Sequence, residues 1–196
     1  MTRRAFLAIA AFAAAVVLVW VLLFSLVPRW FRSAPAPGTP AGAAAPAADP
    51  QRKITATLFF ISEDGMSLVS AQREVLLAEP IVEQAREILL AQIAPPTAPL
   101  ASAIPAETKL RALYLSEGGD LFADFTGELT SRHTGGALDE LFTVYAIVNS
   151  VTVNLPAITR VQILIDGKEV DTLAGHVDLR NPLSKNLTWV KSDNPS

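Results

Sequence analysis

The feature that most constrains this chain is a run of 23 residues without a charge, Ala5–Val27 (AFLAIAAFAAAVVLVWVLLFSLV). At about 1.5 Å per residue such a helix covers roughly 35 Å, enough to cross a hydrocarbon core of about 30 Å. The apolar part of a cleavable export signal spans only about 7–15 residues. The nearby small-residue pattern Ala34-Pro35-Ala36 is followed by Pro37, which disfavours cleavage. The spacing therefore predicts a retained transmembrane helix over 5–27, with residues 1–4 as a short cytoplasmic tail. Pro28-Arg29-Trp30-Phe31-Arg32 supplies the aromatic and cationic residues typical of a membrane interface. This run also explains a hydrophobic content of 51% and a mean hydropathy of +0.35.

Arg3 and Arg4 at one end balance Arg29 and Arg32 at the other. The short N-terminal tail sets the orientation, because a long following domain translocates largely regardless of its charge. Thr2-Arg3-Arg4-Ala5-Phe6-Leu7 is similar to the start of a twin-arginine export signal, although Ala8 stands where a lysine often follows. Either route places the remainder outside the cytoplasm, as a single-pass protein of the cytoplasmic membrane. Residues 28–53 form a linker. Its stretch Ser33–Pro50 holds five prolines and one charge, Asp49. Prolines remove backbone donors and disfavour helix in the preceding residue, so this stretch is a semi-extended spacer.

Charge divides the chain as composition does. Residues 1–53 carry six Lys+Arg against one acid, whereas residues 54–196 carry 10 Lys+Arg against 18 Asp+Glu, a net of −8. An acidic domain repels nucleic acid and anionic lipid, and nucleic acid is excluded as a partner. The chain has no cysteine. Disulfides, thiolate metal sites and thiol nucleophiles are excluded, as is a lipid anchor on an N-terminal cysteine.

From residue 54 to about 190 the pattern is globular, with 191–196 as a disordered tail. Ile54–Ile61 is β-rich and apolar on both faces; Ser62-Glu63-Asp64-Gly65 turns it back into Leu68–Leu77. Ile81, Val82, Ala85, Ile88, Leu89 and Ile93 form one stripe at helical spacing, opened by Pro80 and stopped by Pro95 and Pro96. Lys109–Ser116 and Leu121–Thr126 make a second hairpin across Gly118-Gly119. Gly135-Gly136 leads into a long helix reaching about Val153, with Asp139 and Glu140 at its positive end. Arg160–Ile165 and Glu169–Leu173 make a third hairpin across Asp166-Gly167. The order ββαββαββ, without a residue-level repeat, predicts an α+β fold: a mainly antiparallel sheet of three hairpins with two helices on one face, preceded by one transmembrane helix.

Catalytic signatures are scarce. There is no Gly-x-Ser-x-Gly elbow and no phosphate-binding glycine loop. His133 and His176, even with Asp178 or Asp124, lack the spacing of a zinc site, so no metal and no cofactor is expected. His176 and Asp178 are read as holding the C-terminal tail by hydrogen bonds. Asp120, Asp124, Glu128 and Asp139 are the acids that a sugar hydrolase would need in pairs, and solvated or capping roles suit them better. Two residues of the long helix stand out. Asn149 falls within the apolar face made by Leu138, Leu141, Phe142, Tyr145, Val148, Val151 and Thr152. A buried amide there needs partners, which the Ser102–Thr108 stretch would supply. Ile147 falls on the polar face beside Thr143 and Ser150, as a pointer to a partner surface.

The ordered pieces resemble the GerMN (sporulation and spore germination) domain. They are Thr57-Leu58-Phe59-Phe60 with its acidic-glycine turn, Ser102-Ala103-Ile104-Pro105 with Thr108, and Ala123-Asp124-Phe125 with Glu128. Gly135-Gly136 leading to Ile147–Thr152, Val161–Gly167, and Gly175-His176-Val177-Asp178 with Pro182 complete the set. The resemblance covers residues 54–183 and implies a non-enzymatic, envelope-anchored module. It differs from many relatives in carrying a helix anchor in place of a lipid-bearing cysteine, and a single copy with no enzyme attached. The expected function is a scaffolding module that binds envelope proteins or further copies of itself, held to the membrane by the N-terminal helix. The alternative is a module that binds peptidoglycan and assists cell-wall remodelling.

Overall fold

The computed structural model describes residues 52–191. The expected tail, transmembrane helix and most of the linker lie outside these residues, as do 192–196. No helix among the described residues is long and apolar enough to cross a membrane.

Strands β1 (Lys53–Ile61) and β2 (Leu68–Leu76) pair antiparallel without a break over nine residue pairs. Helix α1 (Ile81–Ile93) follows, then β3 (Leu110–Leu115) and β4 (Asp120–Phe125). A short helix α2 (Glu128–Ser131) precedes the long α3 (Ala137–Asn154), and β5 (Arg160–Ile165), β6 (Lys168–Glu169) and β7 (Leu183–Ser184) complete the chain. The elements lie close to where periodicity and turn residues place them. Gly65, Gly119, Gly136 and Gly167 adopt positive φ at the hairpin turns and at the start of α3, where a side chain would be strained.

The arrangement of the elements corrects the expectation of a single sheet. β1 and β2 form a two-stranded sheet of their own, while a five-stranded sheet runs β3-β4-β5-β6 with β7 also on β5. β4 and β5 are parallel. The physical reason is the connection: a hairpin can return a chain only antiparallel, whereas α2 and α3 between β4 and β5 make a crossover that brings it back in the same direction. The third hairpin closes with only two residues in β6.

Both helices pack against the large sheet, and they also meet the small one. Val144, Ile147, Val148 and Val151 of α3 pack with Leu113, Leu121, Ala123, Phe125, Val161 and Ile163 of the large sheet. Phe142 and Ala146 of the same helix pack with Phe59 and Leu68 of the β1–β2 hairpin. Helix α1 joins both regions, through Leu89 towards the large sheet and through Ile88 towards Ala56, Leu58 and Phe60. α3 thus lies between two sheets and is buried nearly all round. A helix in that position needs no polar face, and Ile147, expected on the surface, is fully buried.

Candidate functional site

Polar residues of α3 hold neighbouring segments in place. Asn149 is fully buried. Its Nδ2 donates to the Asn186 carbonyl at 2.7 Å, and its Oδ1 accepts the Asn186 N–H at 2.9 Å. The partner is therefore the C-terminal segment, not Ser102–Thr108, because the face holding Asn149 is turned to where the chain returns after β7. Thr143, one turn and a half earlier, binds the Ala103 carbonyl and faces His133 Nε2 at 3.0 Å. The Gly135 N–H donates to His133 Nδ1 at 3.0 Å, which leaves Nε2 as the protonated nitrogen. Beside them is a cleft of about 220 Å³ bordered by Ser102, Pro105, Arg132, His133 and Asp139.

Glu140 is fully buried. Its carboxylate accepts the N–H groups of Leu173 and His176, both at 2.8 Å, and lies 3.1 Å from His176 Nδ1. Burial pushes this carboxyl up, but the N–H groups of Ala174, His176, Leu173 and Val177 outweigh it and hold it below its ordinary range. The carboxylate fixes the loop after β6 onto the helix. His176 belongs to this loop anchor. Asp178 is exposed and pairs with its neighbour Arg180, Oδ2 to Nη2 at 2.7 Å. The Arg180 side chain, then its backbone N–H, lowers the Asp178 carboxyl to about 2.

The acids considered for sugar hydrolysis are separately engaged. Asp120 forms a two-pronged pair with Arg160, both bonds at 2.7 Å. Asp124 lies 3.1 Å from Arg111 Nη1 and accepts the Gly167 N–H at 2.8 Å. The Thr126 hydroxyl beside Glu128 holds that carboxyl below its ordinary range. Asp139 accepts from the Thr134 hydroxyl at 3.3 Å. Among the described residues no three His, Asp or Glu side chains gather to hold a metal ion.

Sequence reasoning missed two bonding amides, the buried Gln92 and the half-buried Asn154. Gln92 Nε2 donates to the Phe59 carbonyl at 2.7 Å, and its Oε1 accepts the Phe59 N–H at 2.9 Å and the Ser150 hydroxyl at 2.6 Å. Asn154 grips Thr57 in the same way, at 2.9 Å and 2.7 Å. Both occupy the edge of β1 that faces away from β2. Their signal was legible only as polar residues at the ends of apolar helices. Large apolar side chains remain exposed elsewhere: Met66, Leu90, Tyr114, Leu187 and Trp189. Met66 and Trp189 border one shallow cleft. A second, mainly apolar cleft of about 360 Å³ lies between Phe59, Ser70, Val153, Leu187 and Val190.

A family model described as Germane, sporulation and spore germination, matches residues 57–171. No curated protein matches the chain. Among solved structures, a candidate lipoprotein from Clostridium perfringens is 25% identical, with a TM-score of 0.50 over 72% of this chain and 93% of that one. The tandem GerMN domains of the sporulation protein GerM from Bacillus subtilis are 22% identical, with a TM-score of 0.54 over 68% of this chain and 46% of that one. The first GerMN domain of GerM alone is 22% identical, with a TM-score of 0.50 over 68% of this chain and 96% of that one.

Proposed function

The chain belongs to the Germane family of sporulation and spore germination domains, and on that premise we propose that it is a membrane-anchored interaction module of the bacterial cell envelope. In this reading the apolar run 5–27 is a single-pass anchor, the Pro/Ala-rich linker is a spacer, and the folded domain works outside the cytoplasm. It recruits envelope proteins and catalyses no reaction itself. The observation that carries the reading is where polar and apolar groups stand. Glu140, Asn149, Gln92, Asn154 and Asp124 are committed to backbone partners. Met66, Tyr114, Leu187 and Trp189 face solvent. Buried polar groups of that kind fix a fold, whereas exposed aromatic and aliphatic side chains are the material of protein interfaces. The likeness to a candidate lipoprotein is consistent with an envelope setting.

Photo-crosslinking probes at Met66, Leu90 and Tyr114 of the full chain, expressed at native level, test the reading. Adducts with envelope proteins are expected. Glycan adducts at Tyr114 without protein adducts anywhere would replace the reading with peptidoglycan binding, which the exposure of Tyr114 on the large sheet favours. A reporter active only outside the cytoplasm, fused after Ser196, is expected to be active and membrane-bound; a silent or fully soluble fusion overturns the anchor.

A further inference from the structure

We infer that the outer edge of β2, with the apolar cleft beside it, is a strand-addition site for an extended segment of a partner protein. This deepens the interaction-module reading and rests on it. An unpaired strand edge is a template for another chain. On β1 the outward groups of Thr57 and Phe59 are sealed by Asn154 and Gln92, and those of Ile61 pair with Ala101 at 2.8 Å and 3.2 Å. On β2, Leu68 is paired with Trp189 and Lys191, at 2.8 Å and 2.7 Å, and the Leu76 carbonyl accepts from Gln84 at 2.9 Å. Between those two clamps lie Ser70, Gln72 and Glu74, all exposed. Their outward N–H and C=O groups have no partner among the described residues. The outer edge of β3 is interrupted by a register shift between Leu110 and Ala112, a feature that discourages edge pairing. β2 has no such shift over its nine pairs.

The second observation is the cleft of about 360 Å³ between Phe59, Ser70, Val153, Leu187 and Val190, with Lys191 on its border. It lies on the face of the hairpin to which Ser70 and Gln72 point. In an antiparallel pair, directly opposed residues share a face. A residue laid opposite Ser70 therefore directs its side chain into the cleft, which has room for a leucine or phenylalanine. The residue four positions earlier lies opposite Glu74, whose carboxylate already meets Lys53 Nζ at 3.1 Å; on a domain of net charge −8 over residues 54–196, a second cation on the added strand suits that place. A second copy of β2 does not fit. In a two-fold pairing centred on Gln72, its Leu76 would lie opposite Leu68, where Val190 already forms a bridge. The occupant is thus a short extended segment, apolar opposite Ser70 and basic opposite Glu74.

The probe is a labelled heptapeptide, acetylated and amidated, of threonines with lysine at the second position and leucine at the sixth. It is titrated against the full chain in detergent micelles by fluorescence anisotropy. Saturable binding is expected. N-methylation of the alternate amides that face β2 is expected to weaken it at least tenfold, and methylation of the other amides less than twofold. Ser70→Pro removes an outward N–H without touching the β1–β2 ladder. That variant and Leu187→Asp are each expected to weaken binding at least tenfold, and Tyr114→Ser less than twofold. No binding, equal sensitivity to the two methylation patterns, or indifference to Leu187→Asp overturns the site. In cells, a probe at Gln72 that traps only a second copy of this chain also overturns it. Protein adducts at Tyr114 but none at Gln72 overturn the edge site and leave the interaction-module reading standing; no protein adduct at any probe overturns that reading too.

Discussion

Glu140 sets the chemistry of the molecule at the scale of single residues. Because backbone N–H groups hold its carboxyl below the ordinary value of 4.5 in the folded state, its contribution is present above that value and is lost as pH falls through the lower folded value. Glu140→Gln is expected to cost about 2–3 kcal/mol near neutral pH, since hydrogen bonds to a charged acceptor are worth about 1.5–3 kcal/mol. It is also expected to flatten the acid limb of the melting curve, measured as melting temperature from pH 7 to pH 3. An unchanged acid limb would mean that Glu140 is not charged in the folded protein. Thr108 tests the opposite case. Its Oγ1 is buried with no partner among the described residues, so Thr108→Val removes a desolvated hydroxyl and no hydrogen bond seen there. The expected outcome in urea denaturation is neutral or stabilising; a loss above about 1 kcal/mol would reveal a partner such as a bound water.

Hydrogen bonds from single side chains decide how the elements meet. Asn149→Leu orphans both backbone groups of Asn186 and is expected to cost about 1–3 kcal/mol. The Leu68 N–H, which donates to the Trp189 carbonyl at 2.8 Å, is then expected to exchange faster with solvent, because the C-terminal segment loses its anchor. If Leu68 keeps its protection, the Val190 bridge holds that segment by itself. Gly119 ties the β3–β4 turn to the chain entering β5. Its φ is +83°, and a Cβ there would lie 2.9 Å from the Ala157 carbonyl oxygen. Both the left-handed backbone and the fixed neighbour oppose a side chain. Gly119→Ala is therefore expected to cost about 1–3 kcal/mol and to lower the melting temperature. An unaltered melting temperature would show that the turn can move away from Ala157.

At the scale of the whole folded domain, the open margins of its two sheets are unequal. The large sheet has its outer strand β3 disturbed by a register shift, and the small one has β1 sealed by side-chain amides. Surface remains at β2, at Tyr114 and at the Met66–Trp189 rim. If the domain is confined to a membrane plane by residues 5–27, even weak contacts at these places gain from raised effective concentration. The acidic balance of the domain then favours a basic partner over a like copy, and its association is expected to weaken as salt rises from low ionic strength to about 0.5 M, measured by crosslinking yield in isolated membranes. Yield that is constant with salt would mean that apolar contact alone drives association.

Local pattern by itself determined much of this protein. The apolar run and the proline spacer divide the chain. Alternation, helical stripes and the Gly-Gly and Asp-Gly turns place β1 to β5, α1 and α3. An amide within an apolar face of α3 implies that Asn149 must be paired. Those features depend on contacts within a few residues, so they are written into short stretches of sequence. Tertiary structure alone decided the number of layers and what each polar group meets. The polar-looking side of α3, with Thr143, Ile147 and Ser150, is buried because a second sheet and α1 cover it, and periodicity reports one element's faces without saying what packs on each. Asn149 pairs with Asn186, 37 residues away, and Gln92 with Phe59, 33 residues away; no local rule selects such partners. The parallel direction of β5, too, follows from the path of a long crossover through space, which only the assembled fold resolves.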